Sequence, residues 1–152
     1  MTTGGKTSLQ TRALQYLAKR EYSRYELEQK LSVHEHSRQQ VSDLLDQLER
    51  DGYLSTERFA EQTARIRRER LGSQRIVREL KAKGVDEHII ADILPVLKDN
   101  DLETAWRIWQ KKFGAPPVDL KARGKQIRFM MSRGFSSDTI NTILSQADRE
   151  ET

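Results

Sequence analysis

Cysteine is absent from the 152-residue chain, which excludes disulfides, thiolate metal sites and cysteine nucleophiles at once. Proline occurs only three times, aromatic residues make up 7%, and the sequence holds no long apolar run. A membrane span needs ~20 such residues, so no membrane partner is expected. The stretch from Met1 to Lys6 lacks the apolar segment that marks secretion, and the expected compartment is the cytoplasm. Phosphate loops of the GxxxxGK[ST] and GxGxxG types are also missing; the one adjacent glycine pair is Gly4-Gly5. His34, His36 and His88 show no ligand spacing with carboxylates on a helix, and no serine sits in a GxSxG motif. No cofactor, metal or catalytic centre is expected. Asp99 and Asp101 read as charges at a helix start, favoured there by the positive end of the dipole.

What the chain has in abundance is charge, at one third of its residues, with 27 Lys and Arg against 23 Asp and Glu. High charge with few aromatics would suit a disordered chain, and periodicity decides against it. Apolar residues recur at helical spacing throughout, and no segment alternates with a period of two for long enough to form a strand. The expected fold is all-α, in a single helical domain over residues 1–152.

Within it a pattern occurs three times: a cap residue, then apolar residues at positions four, seven and eight beyond it. It reads Ser37, Val41, Leu44, Leu45, then Asp86, Ile90, Ile93, Leu94, then Ser136, Ile140, Ile143, Leu144. Ser and Asp cap helix N-termini because their side-chain oxygens accept the unpaired N–H groups of the first turn, and the apolar positions then share one face. Glycine-based stops punctuate the repeats. Leu80, Gly84, Val85 matches Met130, Gly134, Phe135, and Gly52-Tyr53 follows the first copy, as expected where a left-handed residue ends a helix and an apolar one packs back.

The spacing predicts nine helices at about 8–20, 24–31, 38–51, 56–70, 74–83, 87–97, 99–113, 119–133 and 137–147. Three units follow, at about 8–54, 55–97 and 98–147. Ser23 with Glu26 forms a capping box, and Ser73 after Gly72 restarts the chain. Pro95 should end or kink the sixth helix, while Pro116 and Pro117 fall in a loop. Units this small bury little alone, so the copies should stack as three-helix repeats and share a core in an elongated body, straight or curved. The alternative is a closed globular bundle.

Charge is unevenly spread. From Arg58 to Lys83 there are nine basic and three acidic residues, so a surplus of six sits in a chain whose net charge is +4. On helical wheels Arg58, Arg65 and Arg68 oppose Phe59 and Ile66. Arg75, Arg78 and Lys81 oppose Ile76 and Leu80, and Lys121, Lys125 and Arg128 oppose Leu120, Ile127 and Met131. With Arg67 these form the candidate surface for spaced phosphates or an acidic protein groove. Trp106, Trp109 and Phe113, with Tyr53, Phe59 and Phe135, read as packing residues, which leaves Phe129 as the one aromatic contact candidate.

Several blocks together resemble the RecX regulatory proteins. They are Tyr16 to Leu27 (YLAKREYSRYEL) with Lys30-Leu31; Gly52-Tyr53-Leu54 before Glu57-Arg58-Phe59-Ala60; Gly72 through Arg75-Ile76 and Glu79-Leu80 to Lys83-Gly84-Val85; and Arg133-Gly134-Phe135-Ser136 with Asp138 and Ile140. One departure is Ser55-Thr56, where the family more often carries an acidic residue. The resemblance implies tandem three-helix repeats. It also implies a monomeric, non-enzymatic partner of the RecA filament on single-stranded DNA that lodges in the filament groove and curbs ATPase, strand-exchange and coprotease functions. DNA phosphates would add weak, salt-dependent contacts. A helix-turn-helix DNA-binding protein, which needs one recognition helix and usually a dimer, and a helical-repeat adaptor are the rival readings.

Overall fold

A computed structural model describes residues 8–33 and 36–151, and they form eight helices with no strand among them. The helices are α1 (Leu9–Lys19), α2 (Arg24–Leu31), α3 (Arg38–Arg50), α4 (Thr56–Arg67), α5 (Ser73–Ala82), α6 (Glu87–Lys112), α7 (Leu120–Ser132) and α8 (Ser137–Glu151). The expected all-α class holds. The count of nine does not, because the expected sixth and seventh helices are one continuous helix of 26 residues with Pro95 inside it.

Pro95 removes one backbone N–H and would ordinarily cost a helix interior about 3 kcal/mol. It is tolerated because Pro95 is exposed and both halves of α6 are anchored, Ile89, Ile90 and Leu97 in one cluster and Ala105 and Trp109 in another. Asp99 and Asp101 therefore lie mid-helix, away from the start of their own helix.

Three clusters of buried apolar side chains correspond to the three helix groups. Ala13, Tyr22, Leu27, Leu31, Val41, Leu45, Leu48 and Leu54 form the first. The second includes Phe59, Ile76, Leu80, Val85 and Ile90, and the third Trp109, Met130, Phe135, Ile140, Ile143 and Leu144. The expected shared core is thus corrected: each group closes its own, and polar or backbone contacts make the joints. Helix α6 is the strut that serves two groups, packing on α4 and α5 with one half and on α8 with the other.

Local signals act as their chemistry requires. Ser23 with Glu26 and Ser37 with Gln40 form reciprocal capping boxes, and the Ser136 hydroxyl accepts the Thr139 N–H at 3.1 Å. Asp86 stands at the N-cap of α6, but its side chain makes no capping bond. Gly52, Gly84 and Gly134 all have positive φ, at 82°, 77° and 95°. Beyond two of them Val85 N–H donates to the Leu80 carbonyl at 3.0 Å, and Phe135 N–H to that of Met130 at 3.3 Å, closing the helix ends. Phe135 then drops into the third core, whereas Tyr53 is 56% exposed because Leu54 takes the buried place beside it. Tyr53 is therefore not a packing residue.

The joint between the second and third groups is made by two loops in backbone contact. Gly72 N–H donates to the Arg133 carbonyl at 2.7 Å, and Gln74 N–H to that of Gly134 at 3.1 Å. A Cβ on Gly72 would lie 2.4 Å from the Gly134 oxygen, and one on Gly134 would lie 2.4 Å from Arg75 Cβ. Beneath this contact Asp101 on α6 accepts the Ser73 N–H at 2.9 Å and the Ser73 hydroxyl as well. Burial pushes the Asp101 carboxyl above its usual pKa, although both Ser73 bonds pull the other way. Asp101 thus does sit at a helix start, that of α5 rather than of its own helix.

The joint between the first and second groups is mostly polar, with the Tyr25 side chain close against Gly84. Glu26 bridges Arg20 and Lys83 at 3.1 Å each, Arg58 pairs with Glu21 at 2.8 Å, and Arg24 N–H donates to the Thr56 hydroxyl at 3.2 Å. Burial works against ionising Glu26, but Arg20, Lys83 and the Ser23 N–H outweigh it and hold its pKa below the ordinary value.

Gly72→Ala, at a φ of −78° that any residue adopts, should still destabilise the protein through its clash. Gly134→Ala should cost more than the roughly 1 kcal/mol left-handed penalty, whereas Gly52→Ala, with nothing within 4 Å, should cost that penalty alone. Urea denaturation followed by circular dichroism would rank them, and an unaffected Gly72→Ala would show that the loops are not in close contact. For Glu26, a folded pKa below the unfolded one means that its stabilisation is present above the unfolded pKa and lost as pH falls through the folded one. Glu26→Gln should therefore melt lower than the parent at neutral pH, with the gap closing on acidification; a gap that is constant with pH would contradict the pairing.

Candidate partner-binding surface

Of the basic residues picked from the sequence, the structure ties three down within the chain. Arg58 bonds Glu21 and also donates to the Gly52 carbonyl at 2.7 Å. Arg67 pairs with Glu79 at 3.0 Å, and Arg75 donates to the Ser132 carbonyl at 2.8 Å across the second joint. Their first work is local. Arg65, Arg68, Arg78, Lys81, Lys121, Lys125 and Arg128 carry no side-chain hydrogen bond or ion pair among the described residues, and all but the half-buried Arg68 are exposed. Arg65 and Arg68 line a groove between α4 and α6 that also holds Glu61 and Asp92, so that stretch is balanced in charge rather than basic.

The wheels behind this choice need correction on two helices. On α4 the buried face is Phe59, Ala60 and Ala64, the two alanines leaving room for close packing, and Ile66 lies beyond its edge at 57% exposure. On α7 the buried residues are Gln126 and Met130, while Leu120 is 85% and Met131 53% exposed. Gln126 turns the helix: its Oε1 accepts the Trp109 indole N–H at 2.8 Å, and its Nε2 donates to the Ala115 carbonyl at 3.1 Å. Ile127 remains partly buried at the side of that face. Trp106 and Phe113 are half-buried against the third core and Trp109 is inside it, as expected of packing residues.

Phe129 proves to be neither free nor fully buried. Its ring meets Phe113 edge-on, with centroids 5.5 Å apart and planes at 90°. Lys112 Nζ stands 5.1 Å from the ring centroid and the Arg133 guanidinium 5.2 Å from it. The ring forms one wall of a cleft of about 520 Å³ at the second joint. Glu69 and Arg70 from the loop after α4, Arg107, Ile108, Lys111 and Lys112 from α6, and Arg133 from the end of α7 complete it. Arg107 closes one side by donating to the Glu69 carbonyl at 2.8 Å and standing 3.7 Å from its carboxylate. Sequence reasoning reached Phe129 but missed these five cations, since they come from three segments. Arg107 and Lys111 are one turn apart on α6, and so are Phe129 and Arg133 on α7, a signal that points to one site only when the two helices are placed side by side.

His36 and His88 are exposed, and His34 lies outside the described residues, as does Gly4-Gly5. No group of three or more His, Asp or Glu that could hold a metal ion occurs among the described residues, and no described helix is long and apolar enough to cross a membrane.

Fold and surface together define an all-α protein of tandem three-helix units with a basic, partly aromatic cleft where two units meet. Models of the first, second and third three-helix domains of RecX match residues 11–48, 57–94 and 99–144 in that order. The chain is 43% identical to the regulatory protein RecX of Ralstonia pickettii over 141 residues, 93% of this chain and 89% of that one. With the regulatory protein RecX of Leptothrix cholodnii it shares 43% over 143 residues, covering 94% and 91%. A crystal structure of RecX from Lactobacillus salivarius superposes with a TM-score of 0.78 over 92% of this chain and 94% of that one, at 22% identity. The chain belongs to the RecX family of regulatory proteins.

The division between tied and free cations can be tested on stability. Replacing Arg65, Arg78 and Lys81 with Ala should shift the unfolding free energy by no more than about 0.5 kcal/mol each. Arg75→Ala alone should cost roughly 1 kcal/mol, for a bond that joins two units. Urea denaturation of both variants checks this. A triple variant destabilised by well over about 1.5 kcal/mol, three times the limit for one exposed residue, would mean that these cations are structural.

Proposed function

We propose that this chain regulates RecA by binding the filament that RecA forms on single-stranded DNA and lowering its ATPase, strand-exchange and coprotease activities. The observation that carries the reading is the match to all three RecX domains, in order, along most of the chain. An elongated body suits contact with successive protomers of a filament. Exposed cations such as Arg78, Lys81, Lys121, Lys125 and Arg128 suit acidic protein groups or DNA phosphates, and such contacts weaken with salt. The chain acts as a cytoplasmic monomer and by occupancy, with no chemical step of its own.

ATP hydrolysis by RecA on single-stranded DNA, titrated with this protein, tests the proposal. Suppression at less than one molecule per RecA protomer is expected, together with co-sedimentation with the filament and no hydrolysis by the protein alone. Undiminished hydrolysis at excess protein would overturn it.

A further inference from the structure

We propose that the cleft at the second joint binds the phosphodiester backbone of a single nucleic-acid strand without reading its bases. The inference goes beyond the filament reading and stands on the cleft alone. Five cations line the space, and its one acid, Glu69, already faces Arg107. Arg70 and Lys111 have no side-chain partner among the described residues, so their donors are open to a ligand. Phosphate oxygens only accept, and guanidinium forks and ammonium groups only donate, so the two sets match.

Phe129 decides between backbone and base. A stacking platform offers an open ring face, whereas this ring is engaged by Lys112, Arg133 and the Phe113 ring within 5.5 Å. Its role is to hold two cations toward the cleft through their attraction to its π-face. An acidic peptide fits less well. It brings backbone N–H groups that need acceptors, and it seeks side-chain pockets, while the cleft offers Ile108 as its one aliphatic wall and no uncommitted carboxylate. A volume of about 520 Å³ takes a short stretch of one strand, and a duplex would meet only its mouth. Both walls depend on the joint: Glu69 and Arg70 lie just before Gly72, and Arg133 just before Gly134.

Fluorescence anisotropy with a labelled oligothymidylate, and with an abasic phosphodiester of the same length, tests this over a series of salt concentrations with no RecA present. Failure would therefore leave the filament proposal standing. Equal affinity for the two strands is expected. The double variant Arg70→Ala/Lys111→Ala should bind at least several-fold more weakly at low salt and lower the slope of log K against log salt by about 1.4, two contacts at about 0.7 each. Lys19→Ala/Arg38→Ala removes the same charge from exposed positions of the first unit and should leave the slope unchanged. Phe129→Leu, which keeps an apolar group against Phe113, should weaken both strands alike, with circular dichroism confirming that each variant is folded. An unchanged slope in the cleft variant would overturn the site. A thymidylate preference that Phe129→Leu abolishes would make the ring a base platform, and polyglutamate competing as well as the strand would make the cleft a peptide site; either result contradicts the proposal.

Discussion

The close approach of Gly72 and Gly134 is the constraint on which the rest depends. Two loops touch through backbone, with a 2.7 Å hydrogen bond from Gly72 to the Arg133 carbonyl and no room for a Cβ on either glycine. Gly134 meets two demands at once, since its φ of 95° ends α7 and its bare Cα admits Arg75. The contact sets how far the second and third units stand apart, and so the width of the cleft whose walls carry Arg70 and Arg133. Asp101 and Thr104, buried on α6, secure the same place from below, the latter by donating to the Arg68 carbonyl at 3.2 Å.

Magnitudes show how packing and charge divide the work. Fully burying one Leu or Ile contributes about 1.5–3 kcal/mol, and each unit buries several. An exposed ion pair contributes about 0–1 kcal/mol. The three cores therefore hold the fold, while pairs such as Arg67 with Glu79 orient one helix against another and Arg58 with Glu21 ties α4 to the loop after α1. Cations left over from this task are free to meet a partner at little cost to the fold, which lets a chain with one third of its residues charged remain well packed.

Much of the architecture was legible in the residues themselves. Helical periodicity, the recurring cap pattern and the glycine stops marked most helix ends to within a few residues, because capping and left-handed turns are local chemistry. Errors arose where distant contacts overrule local signals. Pro95 breaks a helix in isolation, yet α6 continues because both of its ends are buried in different cores. Gln126 counts as polar on a wheel, but the Trp109 indole makes it a core residue and rotates α7, stranding Leu120 and Met131 outside. Of the binding surface, the stripes were visible and their commitments were not, since no local rule shows that Arg75 spends its guanidinium on the Ser132 carbonyl. The cleft was hidden for the same reason: its cations lie on segments that meet only through the joint.

Native-state hydrogen exchange at the Gly72 and Gln74 amides tests the central claim most directly, because loop amides ordinarily exchange through small local fluctuations. If the two loops are locked, both N–H groups should open only with the surrounding units, at a free energy close to that of buried α6 amides such as Leu97 and Ala105. Exchange near the rate of an unprotected loop, with α6 still protected, would show that the units are joined by the helix alone and that the cleft has no fixed width.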